Sequence, residues 1–533
     1  MTDAVVVGAG HNGLVAANLL ADAGWDVVVL EAQPEPGGAV RSGELTLPGF
    51  THDLFSAFYP LAAASSVLAR LDLGAHGLRW RRAPHVLANP TPDGRCALLS
   101  TDLDETARAL DAYAPGDGDA WRDLYGLWER VGDQLIDALL SPFPPLVPAA
   151  AIAARLGGPA AVLRFARHLT LPVRRLADET FTGEGGGLLL AANALHTDLP
   201  PEAAISGLFG WLLCSLGQQH GFPVPEGGAG RLTAALVDRL ESRGGRLELN
   251  ARVTRVEIRD RRAVGVVTAD GTTVVARRAV LADVVAPQLF LDLVGPAHLP
   301  PGFVEDLGRF QFDHGTVKVD WALSGRIPWS APEAAGAGTV HLADSMDHLT
   351  MYSAELATGR LPREPFLLVG QMTTADPTRS PPGTETAWAY THVPQHARGD
   401  AGDDGLKGIW DDEETERFAH RMEARMERYA PGFRDLVLGR HVFTPRTMPE
   451  ANESLVRGAV NAGTAQLHQQ LMFRPAPGLA RPQTPVRGLY LASASAHPGG
   501  GVHGAPGANA ARAALAAERL PRRLLRPTPW RRL

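Results

Sequence analysis

Lysine is almost missing from this chain. It occurs only at Lys318 and Lys407, so arginine carries nearly all the positive charge, a bias that reads as composition and not as function. Cysteine is equally scarce: Cys96 and Cys214 lie far apart and form no C-x-x-C, which excludes a disulfide framework and a dithiol redox centre. Apolar runs stop short of the roughly eighteen residues that a membrane-spanning helix needs. A net charge of −7 supplies no whole-protein attraction for nucleic acid. The first strand pattern begins at Ala4, so no signal or transit segment is expected, and a cytoplasmic location follows as the expectation. Repeats of solenoid period and low-complexity tracts beyond Ala/Gly richness are absent from the sequence.

What remains is a chain of 533 residues, 45% hydrophobic and 20% charged, enough for two to four units with ample core. The basic end "RLPRRLLRPTPWRRL" interleaves Leu and Trp and is compatible with peripheral contact to an anionic membrane, although Pro521, Pro527 and Pro529 argue against one continuous helix. A solvated or loosely docked terminus is the plainer reading.

"DAVVVGAGHNGLVAANLLADAGWDVVVLE" runs apolar strand, glycine turn, apolar helix, apolar strand, acid. Gly8, Gly10 and Gly13 follow Val5–Val7 directly, and Glu31 closes the Val27–Leu30 run. Glycines there permit a tight turn and close pyrophosphate approach, the helix start faces the phosphates, and the carboxylate accepts ribose hydroxyls. Dinucleotide binding is the expectation. Glu31 also opens E-x5-G-G-x2-R, with Gly37, Gly38 and Arg41. Near the other end, "HPGGGVHGAPGANAARAAL" places a second glycine-rich turn ahead of an alanine-rich helix predicted to start near Val502.

These motifs resemble those of FAD-binding oxidoreductases that share a fold with amine oxidases and Rab GDP-dissociation inhibitors. From "FRPAPG" onward the chain is similar to the phytoene desaturase-like flavoproteins, and in detail to the branch called pyridine nucleotide-disulfide oxidoreductase domain-containing protein 2. The resemblance implies an α/β fold: a Rossmann-like FAD-binding domain with parallel sheet and β-meander, interleaved with an α+β substrate domain and a helical cap. The expected boundaries are 1–60, 222–286 and 480–520 for the FAD-binding parts, 61–221 and 287–479 for the substrate parts, and 521–533 for the basic tail. Between Leu61 and His220 the pattern is mostly helical, and the pieces from 287 onward suggest an antiparallel sheet.

By the same resemblance, FAD is held by Gly8, Ala9, Gly10, Asn12 and Gly13, by Glu31 and Ala32, and by Gly37, Gly38 and Arg41. Val253 meets the adenine through its backbone and Ala282 lies alongside. Ser493 and Ala494 stand where many flavoproteins carry Gly-Asp, and Gly500, Gly501 and Val502 line the flavin. Candidates for moving a substrate proton are His503, and His52 with Asp53, against the alternative of a satisfied imidazole and a loop-fixing carboxylate. His497 and His503 lack further placed ligands, so no metal is expected. The function implied is hydride removal from an apolar small molecule, forming or shifting a double bond, with oxygen or a quinone as electron acceptor. Alternatives are an isomerase or saturase without net oxidation, and a GDI-like lipid-binding or regulatory protein.

Overall fold

The computed structural model describes residues 2–519, and the basic tail lies outside them. Two seven-stranded sheets organise the α/β chain. The first is built where the Val-rich runs predict it. Strand Thr2–Val7 pairs in parallel with Val27–Leu30 on one side and Thr273–Ala282 on the other; Arg246–Glu248 and Leu489–Leu491 extend the parallel part. Thr2–Val7 and Val27–Leu30 are buried at every position, as a central parallel sheet covered on both faces requires. The antiparallel meander Val253–Arg259, Arg262–Thr268 grows from the outer half of Thr273–Ala282.

Helices His11–Asp22 and Ala505–Arg519 pack together against this sheet. Their crossing is close: a Cβ built on Gly507 would lie 1.9 Å from the Asn12 carbonyl oxygen. The C-terminal helix begins at Ala505 and not near Val502, a correction with a local cause. Gly504 sits at φ +71°, outside helical geometry, and His503 Nδ1 accepts the Ala505 N–H (3.1 Å), which caps the helix there.

The second sheet runs Val437–Phe443, Gly315–Leu323, Glu385–Val393, Leu367–Gln371, Ala337–Leu342, His85–Pro90, Cys96–Leu99. It is antiparallel except where Ala337–Leu342 meets His85–Pro90 in parallel. That join exists because the hairpin 85–99 comes from the segment read as mostly helical. Alternation along Gly315–Leu323 splits the sheet into two faces. Val317, Val319, Trp321 and Leu323 pack under helix Asp412–Tyr429 through Phe418, Met422 and Met426. Thr316, Lys318 and Asp320 point the other way, with cross-strand partners His392, Tyr390 and Trp388.

Over that second face lie helices Glu184–Ala194 and Ser206–His220. They touch closely: a Cβ on Gly210 would sit 2.2 Å from the Leu190 carbonyl. Leu188, Leu189 and Leu190 are fully buried, each worth ~1.5–3 kcal/mol relative to exposure.

Candidate active site

A cavity of about 470 Å³ extends from the C-terminal ends of the parallel strands to the polar face of the second sheet. Its nucleotide end is made of backbone. Gly8 turns at φ +92°, and a Cβ on Gly13 would lie 2.3 Å from the Gly8 carbonyl, so the strand-to-helix turn admits no side chain at either position. The second glycine turn abuts the first, Gly37 N–H donating to Ala9 C=O at 2.8 Å. Glu31 is fixed by two amides: Ala9 N–H donates to Oε2 (2.7 Å) and Gln33 N–H to Oε1 (2.9 Å). Arg41 donates to the carbonyls of Gly38 (3.1 Å) and Ala451 (2.7 Å), and burial lowers its pKa.

Of the residues singled out from sequence, Gly8, Gly10, Asn12, Glu31, Ala32, Gly38, Arg41, Val253, Ser493, Ala494, Gly500, Gly501, Val502 and His503 line this cavity. Ala9, Gly13 and Gly37 do not line it. Ala282 is fully buried inside the sheet, its carbonyl accepting the Ala492 N–H at 2.8 Å, and does not line it. Ser493 Oγ accepts the Ser495 N–H at 3.3 Å.

The three proton-moving candidates need correction. His503 lines the cavity, but both ring nitrogens are engaged: Nδ1 caps Ala505 and Nε2 donates to Gly500 C=O (3.3 Å). Burial, with His11 nearby, takes its pKa down to about 3, so it braces the glycine turn as a neutral imidazole. His52 and Asp53 are fully buried and lie outside the cavity lining. Asp53 receives both Arg379 guanidinium nitrogens (3.1 and 2.6 Å), the Ser42 hydroxyl (2.8 Å) and the Ala229 N–H (2.7 Å), which spends its lone pairs on structure.

What those two residues do is support a third that the motifs missed. Lys318 lines the cavity, ion-paired to Asp320 and donating to the Asp53 carbonyl at 3.0 Å; His52 Nδ1 stands 3.4 Å from Asp320. Burial lowers the Lys318 pKa, and Asp320 opposes the shift. Its signal was the alternating strand "GTVKVDWAL", in which one of only two lysines falls on the polar side. Thr316, Thr339, Trp388 and Tyr390 line the same side, beside His196, whose Nε2 meets His341 Nε2 at 2.8 Å.

Asp283 was also missed. It follows strand Thr273–Ala282, lines the nucleotide end, and accepts the Gly13 N–H on Oδ2 at 2.8 Å. Gly10, the N-cap of helix His11–Asp22, has no side chain to do this, so the cap arrives from another strand. Burial, reinforced by Glu31, raises the Asp283 pKa to about 7. Arg474, fully buried, donates to the carbonyls of Asn461 (2.9 Å), Thr464 (2.9 Å) and Ala494 (2.8 Å) and so ties the loop around 461–464 to the C-terminal turn.

A flavin dinucleotide fits this arrangement. Glycine backbone and a helix start face the phosphate position, and Glu31 is held at the end of its strand. His11 Nε2, Asn12 Oδ1 and Asn461 Nδ2 are buried side-chain atoms on cavity-lining residues with no hydrogen-bond partner among the described residues. Fold and site together define a dinucleotide-binding flavoprotein with its seat between two sheets.

Comparison with known proteins places it further: residues 13–317 match the family of flavin-containing amine oxidoreductases, and the chain belongs to that family. It is 30% identical to "Pyridine nucleotide-disulfide oxidoreductase domain-containing protein 2" of Mus musculus, over 96% of this chain and 92% of that one. It is 26% identical to "Phytoene desaturase (lycopene-forming)" of Paracoccus sp., covering 95% of each. Among solved structures, cyclohexylamine oxidase from Brevibacterium oxydans shares the fold, with TM-score 0.57 and 17% identity over 97% of this chain and 100% of that one. The protein is an FAD-dependent oxidoreductase.

Proposed function

We propose that the enzyme takes hydride from a neutral, largely apolar small molecule and makes or shifts a double bond. The observation that carries this reading is the composition of the cavity wall beyond the nucleotide end. Leu208, Phe209, Leu212 and Leu213 of helix Ser206–His220 line it with Phe58, Leu139 and Phe222. Carboxylates of the lining, namely Glu31, Glu35, Asp283 and Glu453, come from around the glycine turns and the 448–455 segment; among the described residues none lines the apolar part. An alkylammonium substrate would find no anionic partner there, whereas an apolar body buries well. The relative named for desaturation of phytoene supports the same substrate class.

FAD supplies the hydride acceptor when bound. The chain's own residues do the rest. The leucine and phenylalanine wall orients the substrate, and Lys318 Nζ, held as an ammonium by Asp320 and the Asp53 carbonyl, presents a fixed positive charge and a hydrogen-bond donor to the cavity, while the proton lost with the hydride leaves to solvent. Oxygen or a quinone serves as the terminal acceptor in this proposal.

Anaerobic mixing of the purified yellow protein with a panel of polyenes, alcohols and amines tests the reading. Bleaching by an apolar unsaturated or alcohol substrate, and not by amines, is the expected result. Bleaching by amines alone would overturn it, and turnover without net loss of oxidised flavin would redirect it to an isomerase.

A further inference from the structure

Most Leu/Ala-rich helices of this chain are buried, and one pair is not. Helices Leu146–Leu156 and Pro159–Thr170 meet at Gly157-Gly158 with a bend of 119°. Only Ile152 of the first and Phe165 of the second are buried. Leu146, Val147 and Leu163 expose 72, 81 and 73% of their surface, more than any other large apolar side chain among the described residues. A patch of this kind on a folded chain marks an interaction surface.

Charge identifies the partner. From Ala138 to Ala177 the sequence contains no aspartate or glutamate, although the chain has 58 in 533 residues and a net charge of −7. The same stretch holds Arg155, Arg164, Arg167, Arg174 and Arg175. Arg167 and Arg175 are paired to Glu179, and Arg174 to Glu202 and Asp347. Arg155 and Arg164 form no ion pair among the described residues; Arg155 donates to the Arg130 carbonyl at 3.2 Å, which leaves its charge, like that of Arg164, without an acidic partner. Neither helix contains Trp or Tyr, and the large apolar side chains they expose are aliphatic. Aliphatic side chains flanked by arginine without acidic partners fit an anionic lipid surface.

Length decides how the pair sits. No single helix among the described residues is long and apolar enough to cross a bilayer. Helices of 11 and 12 residues lie along an interface. The segment leading into them is tied to the cavity: Leu139 lines it, Ser141 C=O accepts from His497 Nε2 at 3.0 Å, and Phe143 packs edge-on against the His497 ring.

We infer that the bent helical pair 146–170 docks the enzyme on an anionic bilayer. Leu146, Val147 and Leu163 enter the acyl boundary, Arg155 and Arg164 sit at phosphate level, and the Leu139 side of the cavity is brought to the lipid. Vesicle flotation of the full-length, flavin-loaded protein tests this, using phosphatidylcholine vesicles with and without phosphatidylglycerol. Wild type is expected to float with the mixed vesicles only, and to lose binding in high salt. The Leu146→Glu/Val147→Glu/Leu163→Glu variant should lose roughly tenfold or more in partitioning, with flavin absorbance and melting temperature unchanged. Arg155→Gln/Arg164→Gln, which leaves the apolar edge intact, should weaken binding roughly thirtyfold, at about 1 kcal/mol for each of the two arginines near the surface. The inference falls if wild type floats with neither vesicle, or if both variants float as wild type does, since the basic tail is unaltered in each. It falls equally if wild type is a dimer in solution that the triple glutamate variant converts to monomer, because a second copy would then cover the face.

Discussion

The two sheets handle polarity in opposite ways. In the first, the central strands Thr2–Val7 and Val27–Leu30 are buried on both faces, and the cavity is lined by their last residues, Val7 and Leu30, and by the turns that follow them. In the second, one buried face is apolar while the other carries Thr316, Lys318, Asp320, Tyr390, His392, Thr339 and His341. The nucleotide end should therefore suffer from added atoms, and the other end from removed charges.

Gly13→Ala attacks the first sheet where space is least. With the Gly8 carbonyl 2.3 Å from the new methyl, the expected outcome is protein without flavin absorbance and a loss of about 3 kcal/mol or more in a denaturant titration. Lys318→Met attacks the second. It strands Asp320 without its cation in a fully buried setting, which should cost ~3–5 kcal/mol, while Lys318→Met/Asp320→Leu should recover most of that loss. A double variant no more stable than the single one would show that the pair is not the unit described.

Asp283→Asn sharpens the contrast through pH. The folded-state pKa of Asp283 is raised to about 7, so the native chain holds a proton that the unfolded chain releases once pH passes the ordinary aspartate value. Its stabilising contribution is present at low pH and lost as pH rises toward 7. The asparagine variant should melt higher than wild type at pH 8, by the equivalent of ~2–4 kcal/mol, and the difference should close toward pH 4. Equal melting curves at both values would remove the buried carboxyl from the account. The smallest effect belongs to His503→Ala, which removes a helix cap: about 1 kcal/mol of stability, flavin retained, and anaerobic bleaching slowed only a few-fold. A thousandfold loss of rate with the flavin still bound would restore His503 as a base.

The parts readable from sequence were those whose residues are neighbours in the chain. Gly8, Gly10, Gly13 and Glu31 fall within one strand–helix–strand unit, and their spacing carries the physics directly. Asp283 caps the same helix from 270 positions away, and no local pattern marks it. Lys318, Asp320 and His52 converge from two distant segments, so their role depends on burial and pairing. His503 was a reasonable suspect because a histidine beside a flavin-type turn looks the same in sequence whether it moves protons or caps a helix; the partners of both ring nitrogens decide it. Helices Leu146–Leu156 and Glu184–Ala194 are both rich in leucine and alanine, yet one is exposed and the other buried. Composition alone does not separate them.

The crossing of Gly507 over Asn12 sets an order of events during synthesis. The cradle needs two helices, His11–Asp22 and Ala505–Arg519, that lie far apart in the chain. Stable capture of the flavin must therefore wait until the second has emerged, and the strands beside the first must stay soluble through that interval without it.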